Sequence, residues 1–455
     1  MIARILIRQL YDTYNYDIQF PENQRVTIIT GPNGYGKTTF LKIINNLLTC
    51  NFWFFYLLKF KEIQIFFRNG MNISIQKKRI EAEDNNREDR TPASLKEKVF
   101  FRLNANESDE AYIEEFSLSY SDILRLRRQL LPTLSYRQTE EYDIEELLNK
   151  EYNIDSDISI LEKSKNIRMF LQERKCSFIK EQRIIVDYDI PNVKAYVIEG
   201  GIAKDASLLI SILEYKNKID DIAAQLIKEF AKQQMEFASE SQKIDSTFIK
   251  RLVEGTYNKY KEAEFQEKLS KLKAKINNYK EYGLMPQIDI LEEYPEHLQN
   301  VLSLYIDDME QKMSSFDKFY KQLSLFDRFV SGKVLSNKKI KLNEVKGVSV
   351  INDKGEEVPL RKLSSGEQNL IILYYKLAFS TDMRTVLLID EPENSLHMAW
   401  VSQMLEDYQK MAEELKCQII IATHSPAFIN EHWDISCDLY TNNEENNHAE
   451  FAECK

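Results

Sequence analysis

A glycine-rich turn between a short apolar strand and a helix constrains the fold of this chain more than any other segment. The run Val26-Thr27-Ile28-Ile29 has the composition of a buried strand, and Gly31-Pro32-Asn33-Gly34-Tyr35-Gly36-Lys37-Thr38 follows it. This spacing fits the phosphate-binding loop, in which glycines let backbone N–H groups curl around phosphates at a helix N-terminus. The residues predicted to bind nucleotide here are Asn33, Gly34, Gly36, Lys37, Thr38 and Thr39.

A second apolar strand, over residues 385–389, ends in two carboxylates. Asp390, at the tip of the strand, can hold magnesium or its water together with Thr38. Glu391, one residue further on, is positioned to polarise an attacking water as a general base. Because buried strands often end in a solvated acid, this pair takes its meaning from the phosphate-binding loop before it. Together the two motifs predict ATP and Mg²⁺ as ligands.

Three further segments complete the predicted site. Ser364, Ser365 and Gly366 begin a predicted helix over 366–379, although such a sequence is by itself an ordinary helix N-cap. His424 follows an apolar strand and can donate to a γ-phosphate oxygen, or else be a core histidine. Gln182, past a predicted strand over 176–180, can contact magnesium or be an ordinary loop residue. Lys37, Glu391 and His424 are the predicted catalytic residues.

Composition excludes several classes of protein. The 455 residues carry a net charge of −11, which argues against non-specific coating of nucleic acid, since phosphate binding needs clustered Lys and Arg. The five cysteines are scattered without a CxxC pair, as in a reduced, cytoplasmic protein. The most apolar stretch, residues 52–58, is too short to span a bilayer. We therefore expect a cytoplasmic protein without a membrane segment.

Hydrophobic periodicity predicts an α/β chain in which strand-rich segments alternate with helical insertions. An apolar stripe of Phe265, Leu269, Leu272, Ile276 and Tyr279 predicts a short coiled-coil-like hairpin. The predicted segments are 1–85 (N-terminal part of the head), 86–170 (helical or loop insertion), 171–205 (head segment with Gln182), 206–335 (helical hairpin insertion) and 336–455 (C-terminal part of the head).

In this order, the phosphate-binding loop and the runs LSSGEQ, LLIDEPE and THSP resemble the ABC-type ATPase superfamily, in the branch with SMC proteins, RecF and the OLD-like ATPases. The resemblance implies that Ser364, Ser365 and Gly366 contact an ATP held by a second copy, and that residues 394–397 also reach across. It therefore implies a homodimer or higher homo-oligomer. It also implies that the strand-rich segments form one α/β head with mixed and antiparallel sheets and flanking helices. OLD-type proteins carry a Toprim nuclease after the head, but few residues follow His424, so we expect any nuclease to be a separate chain.

The wording GPNGYGKTT, DEPENSLHMAW and ATHSPAFIN is similar to that of antiphage-defence ATPases such as AriA of PARIS and PtuA of Septu. Those ATPases sense or scaffold, and each is paired with a separately encoded nuclease. The likeness implies a nuclease effector in trans, of Toprim or HNH type, and a phage-derived trigger. The alternative is a DNA-repair or recombination ATPase that clamps DNA, with Arg125, Arg127, Arg128 and Arg137 as its footprint. Such an arginine cluster is more often a solvated helix face.

Overall fold

The computed structural model describes residues 1–79, 97–105, 112–119, 122, 163–179, 218–285, 295–331, 338–379, 385–394, 396 and 398–453. These residues form two compact units. The first comprises residues 1–181, 381–394 and 401–455, and the second comprises residues 182–380 and 395–400. Among the described residues, no helix combines the length and the apolar character needed to cross a membrane.

The strands are β1 (Ile2–Leu10), β2 (Tyr14–Gln19), β3 (Val26–Thr30), β4 (Glu62–Phe67), β5 (Asn72–Arg79), β6 (Glu97–Asn104), β7 (Tyr112–Ser119), β8 (Cys176–Ile179), β9 (Lys338–Asn343), β10 (Gly347–Asn352), β11 (Glu357–Val358), β12 (Val386–Asp390), β13 (Gln418–Ala422) and β14 (Ser436–Asp438). The α-helices are α1 (Lys37–Leu48), α2 (Trp53–Leu57), α3 (Lys165–Gln172), α4 (Lys218–Glu254), α5 (Glu262–Glu281), α6 (Gln299–Ser331), α7 (Ser365–Phe379), α8 (Met398–Leu415), α9 (Pro426–Ile429) and α10 (Leu439–Glu453).

The described residues of the first unit form two sheets around one hydrophobic core. The antiparallel sheet has the order β2-β1-β4-β5-β6-β7, and the parallel sheet has the order β14-β3-β13-β12-β8. Alternate residues such as Ile5, Ile7, Ile63 and Ile65 are fully buried, as the period of a half-buried strand requires. They join the buried face of α1 and residues of the parallel sheet in the same core. The α/β head predicted from the sequence is confirmed, with each described sheet of this unit uniform in strand direction.

The prediction of helix and loop over 86–170 is wrong where β6 and β7 lie. These strands extend the antiparallel sheet, with Ile75 of β5 opposite Phe101 of β6, and Phe101 opposite Phe116 of β7. Val99, Phe101 and Leu103 alternate into the core. The alternation of apolar and polar residues here covers few positions and lies among many charged residues. It is therefore a weak signal of a strand in the sequence. Pairing with β5 buries those three side chains, and that tertiary contact decides the conformation.

The second unit is built around α6. Both α4 and α5 pack against α6, which also contacts α7. The stripe Phe265, Leu269, Leu272, Ile276 and Tyr279 is buried, so this part of the prediction is confirmed. The predicted hairpin has one helix too few, because the apolar side chains of α6 contact both α4 and α5. For instance, Phe319 contacts Phe230 of α4 with ring centroids 4.9 Å apart, and Phe316 contacts Tyr279 of α5 at 5.9 Å.

The sheet β11-β10-β9 also belongs to the second unit, where β10 packs against α4. The predicted C-terminal part of the head, 336–455, is therefore divided between the two units. An ion pair also links α4 to α6. Arg251 of α4 donates to both carboxylate oxygens of the buried Asp308 of α6, at 2.6 and 2.7 Å. Loss of Arg251 would leave the buried charge of Asp308 without this partner, and loss of Asp308 would leave the guanidinium of Arg251 without this acceptor.

Candidate nucleotide site

The loop between β3 and α1 has a backbone that glycine adopts more readily than any other residue. Gly34 and Gly36 lie at φ +91° and +75°, in the region where a Cβ is strained. Around Gly34 no heavy atom lies within 4 Å of the position a Cβ would take, so the constraint there is conformational alone. Gly36 caps α1, whose first N–H groups point back toward the loop. This open, glycine-lined cradle at a helix N-terminus fits a phosphate group.

Lys37 is the first residue of α1, and its side chain is buried beneath the loop. Its Nζ donates to the carbonyl oxygens of Gly31 at 2.7 Å and Pro32 at 3.2 Å. The ammonium group is thus held at the mouth of the cradle. Thr38 is exposed next to it, and Thr39 Oγ1 lies 3.1 Å from the hydroxyl of Tyr11. A fixed positive charge beside free helix-terminal N–H groups is suited to a polyphosphate.

The carboxylate pair and the histidine reach the same edge of the parallel sheet as the loop. β13 lies between β3 and β12, and Ala422 is the register partner of both Ile29 and Asp390. Because parallel strands end at one edge, residues that follow β3, β12 and β13 are brought side by side there. The structure thus places together the phosphate-binding loop, Asp390, Glu391 and His424, which are far apart in sequence.

Glu391 is held in place by two side chains. Its Oε1 lies 3.2 Å from Nδ1 of His424, and its Oε2 accepts a hydrogen bond from Nδ2 of Asn394 at 2.8 Å. The backbone of Glu391 has φ +46°, uncommon for a residue with a Cβ, and its N–H donates to the Ala422 carbonyl at 2.9 Å. Such strain is typical of residues held by their surroundings at functional sites. The sequence analysis included Asn394 in the segment 394–397, but the sequence does not indicate its hydrogen bond to Glu391.

A second acid, Glu393, connects the carboxylate loop to the end of β13. The hydroxyl of Thr423 donates to Glu393 Oε1 and accepts the N–H of Ser425 at 2.9 Å. Burial raises the pKa of Glu393 above its ordinary value, although the Thr423 hydrogen bond opposes the shift. Because Thr423 precedes His424, this link fixes the turn that carries the histidine. Sequence reasoning missed it, and the residue pattern gives no signal for a contact 30 positions apart.

The segment with Ser364 lies in the second unit and is organised by a capping box. Ser364 Oγ and N–H donate to Glu367 Oε2 at 2.9 and 2.8 Å, and the Glu367 N–H returns to Ser364 Oγ at 3.3 Å. Lys338 of β9 donates to Glu367 Oε1 at 2.6 Å. Burial would raise the pKa of Glu367, but the bonds from Lys338 and Ser364 outweigh it and lower the pKa.

Ser364 and Ser365 are exposed at the start of α7, and Gly366 is half-buried. Gln182, His397 and the four arginines at 125, 127, 128 and 137 lie outside the described residues. The individual roles assigned to the site residues from the sequence stay predictions.

A glycine cradle at the start of a helix, with an acid pair and a histidine at the ends of neighbouring parallel strands, is the arrangement of a P-loop ATPase. The chain belongs to the AAA ATPase domain family, whose sequence profile matches residues 1–429. Membership implies nucleotide binding and ATPase activity, and the cradle described above fits that use.

Two solved structures of Smc heads are similar to this chain. The Smc head domain with an extended coiled coil bound to the C-terminal domain of ScpA, derived from Pyrococcus furiosus, is 15% identical with a TM-score of 0.35, covering 94% of this chain and 90% of that chain. The SmcHead bound to the C-winged helix domain of ScpA is 11% identical with a TM-score of 0.33, covering 94% and 91%. TM-scores this low carry no argument about function. No curated protein matches the chain.

Proposed function

We propose that the chain hydrolyses Mg-ATP at sites shared between two copies, each site using Lys37 of one copy and Ser364 of the other. We place this assembly in a bacterial antiphage defence system. There it acts as the sensor or the scaffold and controls a separately encoded nuclease. The observation that carries the ATPase proposal is the contact of Glu391 with His424 at the sheet edge that also bears the phosphate-binding loop.

The proposed chemistry uses the side chains at this edge. Glu391 is oriented by Asn394 and accepts the proton of a water that attacks the terminal phosphate. His424 lies beside it and, with both ring nitrogens protonated, can donate to a phosphate oxygen as well as to Glu391, while Lys37 stabilises the developing negative charge. Thr38 and Asp390 would hold Mg²⁺, which neutralises phosphate charge when bound. Asp390 is the last residue of β12 and is only 8% exposed.

The proposed closure uses the exposed start of α7. Ser364 is exposed, and its hydroxyl can donate to a phosphate by exchanging its hydrogen bond to Glu367, while the helix behind it offers N–H groups that favour an anion. If these groups approach the open side of a phosphate bound by another copy, ATP joins the two copies and hydrolysis weakens the contact. A site of this kind is built from two chains, so it can be tested by mixing two variants.

Lys37→Ala and Ser364→Arg should each abolish ATPase activity, the first by removing the phosphate contact and the second by blocking closure. In a mixed dimer, one site carries both changes and the other carries neither. Equal mixing with free exchange of subunits should then restore roughly a quarter of the wild-type rate. Steady-state ATPase assays on the separate and mixed proteins measure this.

Ser314→Arg is the matched control, because Ser314 is an exposed serine on α6 of the same unit. It should hydrolyse ATP normally. Subunit exchange is verified by co-purification of differently tagged copies. If the exchanged mixture stays inactive, or if Ser364→Arg alone turns over ATP normally, the shared site is wrong and each chain works independently.

The defence role is supported by the sequence similarity to antiphage ATPases. It is tested by phage challenge of cells that carry the chain with its neighbouring nuclease gene. Protection should disappear with Lys37→Ala and with loss of the nuclease. Equal plating of phage with and without the intact pair would contradict the role.

The DNA-clamp alternative depends on arginines that lie outside the described residues, so it stays a prediction. It is measured by binding of the purified protein to duplex DNA over a range of salt concentrations. A steep fall of affinity with salt would favour the clamp over the defence role.

A further inference from the structure

A buried tyrosine lies directly against the phosphate-binding loop. Tyr16 is on β2, pairs with Ile7 of β1 and is 1% exposed. Its ring stacks on that of Tyr14, with centroids 6.0 Å apart and planes 9° from parallel. Tyr14 in turn contacts the ring of Tyr35 at 5.3 Å. The β1–β2 hairpin therefore presents an ordered aromatic surface to the loop, and Tyr16 is its innermost member.

The hydroxyl of Tyr16 donates to the backbone carbonyl oxygen of Tyr35 at 2.7 Å. Tyr35 precedes Gly36, so this carbonyl belongs to the peptide unit that immediately precedes the helix cap. None of the described peptide bonds is cis. In a trans peptide the C=O and N–H point in opposite directions. Because the carbonyl faces the buried Tyr16, the N–H of Gly36 is turned away from the core, toward the exposed side of the loop.

We propose that Tyr16 is a positioning residue for phosphate binding, which holds the Tyr35–Gly36 peptide so that the Gly36 N–H faces the bound phosphate. This inference rests on the proposed nucleotide site. Glycine makes the restraint necessary, since Gly36 at φ +75° has no side chain to fix its orientation and an unrestrained peptide of this kind turns easily. A loop whose N–H groups are already oriented binds an anion without ordering itself first.

The chemistry of a buried tyrosine suits this task. Burial raises the pKa of Tyr16, and the neighbouring Tyr14 and Tyr35 raise it further. The hydroxyl therefore keeps its proton and remains a donor throughout the pH range in which ATPases work. A phenylalanine would fill the same space in the core but would leave the Tyr35 carbonyl without this donor.

Tyr16→Phe is therefore the test, with Tyr14→Phe as the matched control on the same strand. Binding of ADP and of inorganic pyrophosphate is measured by calorimetry, ATPase rates are measured at saturating ATP, and thermal unfolding is measured alongside. We expect both affinities to fall about 3- to 10-fold in Tyr16→Phe, as loss of one hydrogen bond predicts. The kcat should stay within about twofold, because Glu391 and His424 are untouched. Tyr14→Phe should match the wild type.

The outcomes separate this inference from the proposed function. If the wild-type chain binds neither ADP nor pyrophosphate, the proposed nucleotide site fails and the inference fails with it. If the wild type binds both and Tyr16→Phe binds them equally well, Tyr16 is structural and only the inference is overturned. A fall of kcat and melting temperature together, with unchanged pyrophosphate affinity, also overturns it. Loss of phosphate affinity at unchanged kcat supports it.

Discussion

The phosphate-binding loop and the start of α7 are both expected to contact ATP, yet they are built by opposite means. The loop consists of backbone in conformations that glycine favours, held from below by Tyr16. The start of α7 is organised by charged and hydroxyl side chains, with Glu367 between Ser364 and Lys338. One region presents N–H groups whose character does not change with pH. The other presents a serine whose environment depends on the charge of an acid.

This contrast separates the expected effects of mutation. Changes at the sheet edge that carries the loop should act on chemistry and on phosphate affinity. Changes at the start of α7 should act on closure and on the pH dependence of stability.

Glu391→Gln tests whether chemistry belongs to the first region alone. The amide keeps the shape of the side chain but cannot accept a proton from water, so kcat should fall about 10²- to 10⁴-fold while ATP still binds. Rapid-quench ATPase assays and nucleotide-binding titrations measure the two effects. Glu413→Gln, an exposed acid on α8, is the control and should be silent. Unchanged hydrolysis would remove Glu391 from its assigned role.

We expect Asn394 to affect the rate of hydrolysis by orienting the carboxylate of Glu391. Asn394→Ala removes the 2.8 Å bond to Glu391 Oε2, a hydrogen bond to a charged group, and should lower kcat about tenfold. Asn394→Asp should be worse than alanine, because it places a second carboxylate against the first. The ratio of the two rates is the measurement. If aspartate were as active as asparagine, the bond would have no part in orienting Glu391.

Gly34→Ala tests the backbone half of the comparison. The Cβ meets no neighbour, so the cost is the strain of φ +91°, about 1–2 kcal/mol in free energy of unfolding. Gly70→Ala is a close control, since Gly70 has φ +84° and equally open surroundings in the turn between β4 and β5. Both should lose similar stability in urea unfolding at any pH, but only Gly34→Ala should weaken ATP binding. Equal ATP affinity in the two variants would contradict a conformational role for the loop.

Glu367→Gln tests the side-chain half and should have the smallest effect. The pKa of Glu367 is lower in the folded chain than its ordinary value of 4.5, so its stabilisation is present above that value and is lost as pH falls through the folded pKa. Glu367→Gln should therefore cost about 1 kcal/mol near neutral pH and nothing in acid. Lys338→Met removes the ion pair that does most to lower the pKa of Glu367, so the stability lost on acidification should be smaller in that variant.

Unfolding curves at several pH values measure this dependence. Glu264→Gln is the control, because Glu264 holds the equivalent capping position at the start of α5. The difference in cost between the two variants separates the contribution of the capping position from that of the Lys338 ion pair. If the loss of unfolding free energy in Glu367→Gln did not change with pH, the charge of Glu367 would not contribute to stability. The two regions would then not differ in their pH dependence.

Much of the nucleotide site could be predicted from the sequence because its motifs are local. The loop 31–38 combines glycine conformations and a helix start within eight residues, and the stripe on α5 repeats every three or four positions. Such patterns reflect backbone conformation and burial period, which act between near neighbours. β6 and β7 were missed for the converse reason. Their alternation is brief, and the partner strand that stabilises them lies elsewhere in the chain.

The sequence by itself determined the local motifs, their order along the chain and the kind of chemistry they can perform. Only the tertiary structure decided which side chains meet: Tyr16 with the Tyr35 carbonyl, Glu391 with His424, and Lys338 with Glu367. The physical reason is that turn conformations and amphipathic periods are properties of consecutive residues. A hydrogen bond between positions some 20 to 30 residues apart instead depends on strand order and register. The strand order places β13 between β3 and β12, and that neighbourhood assembles the candidate site.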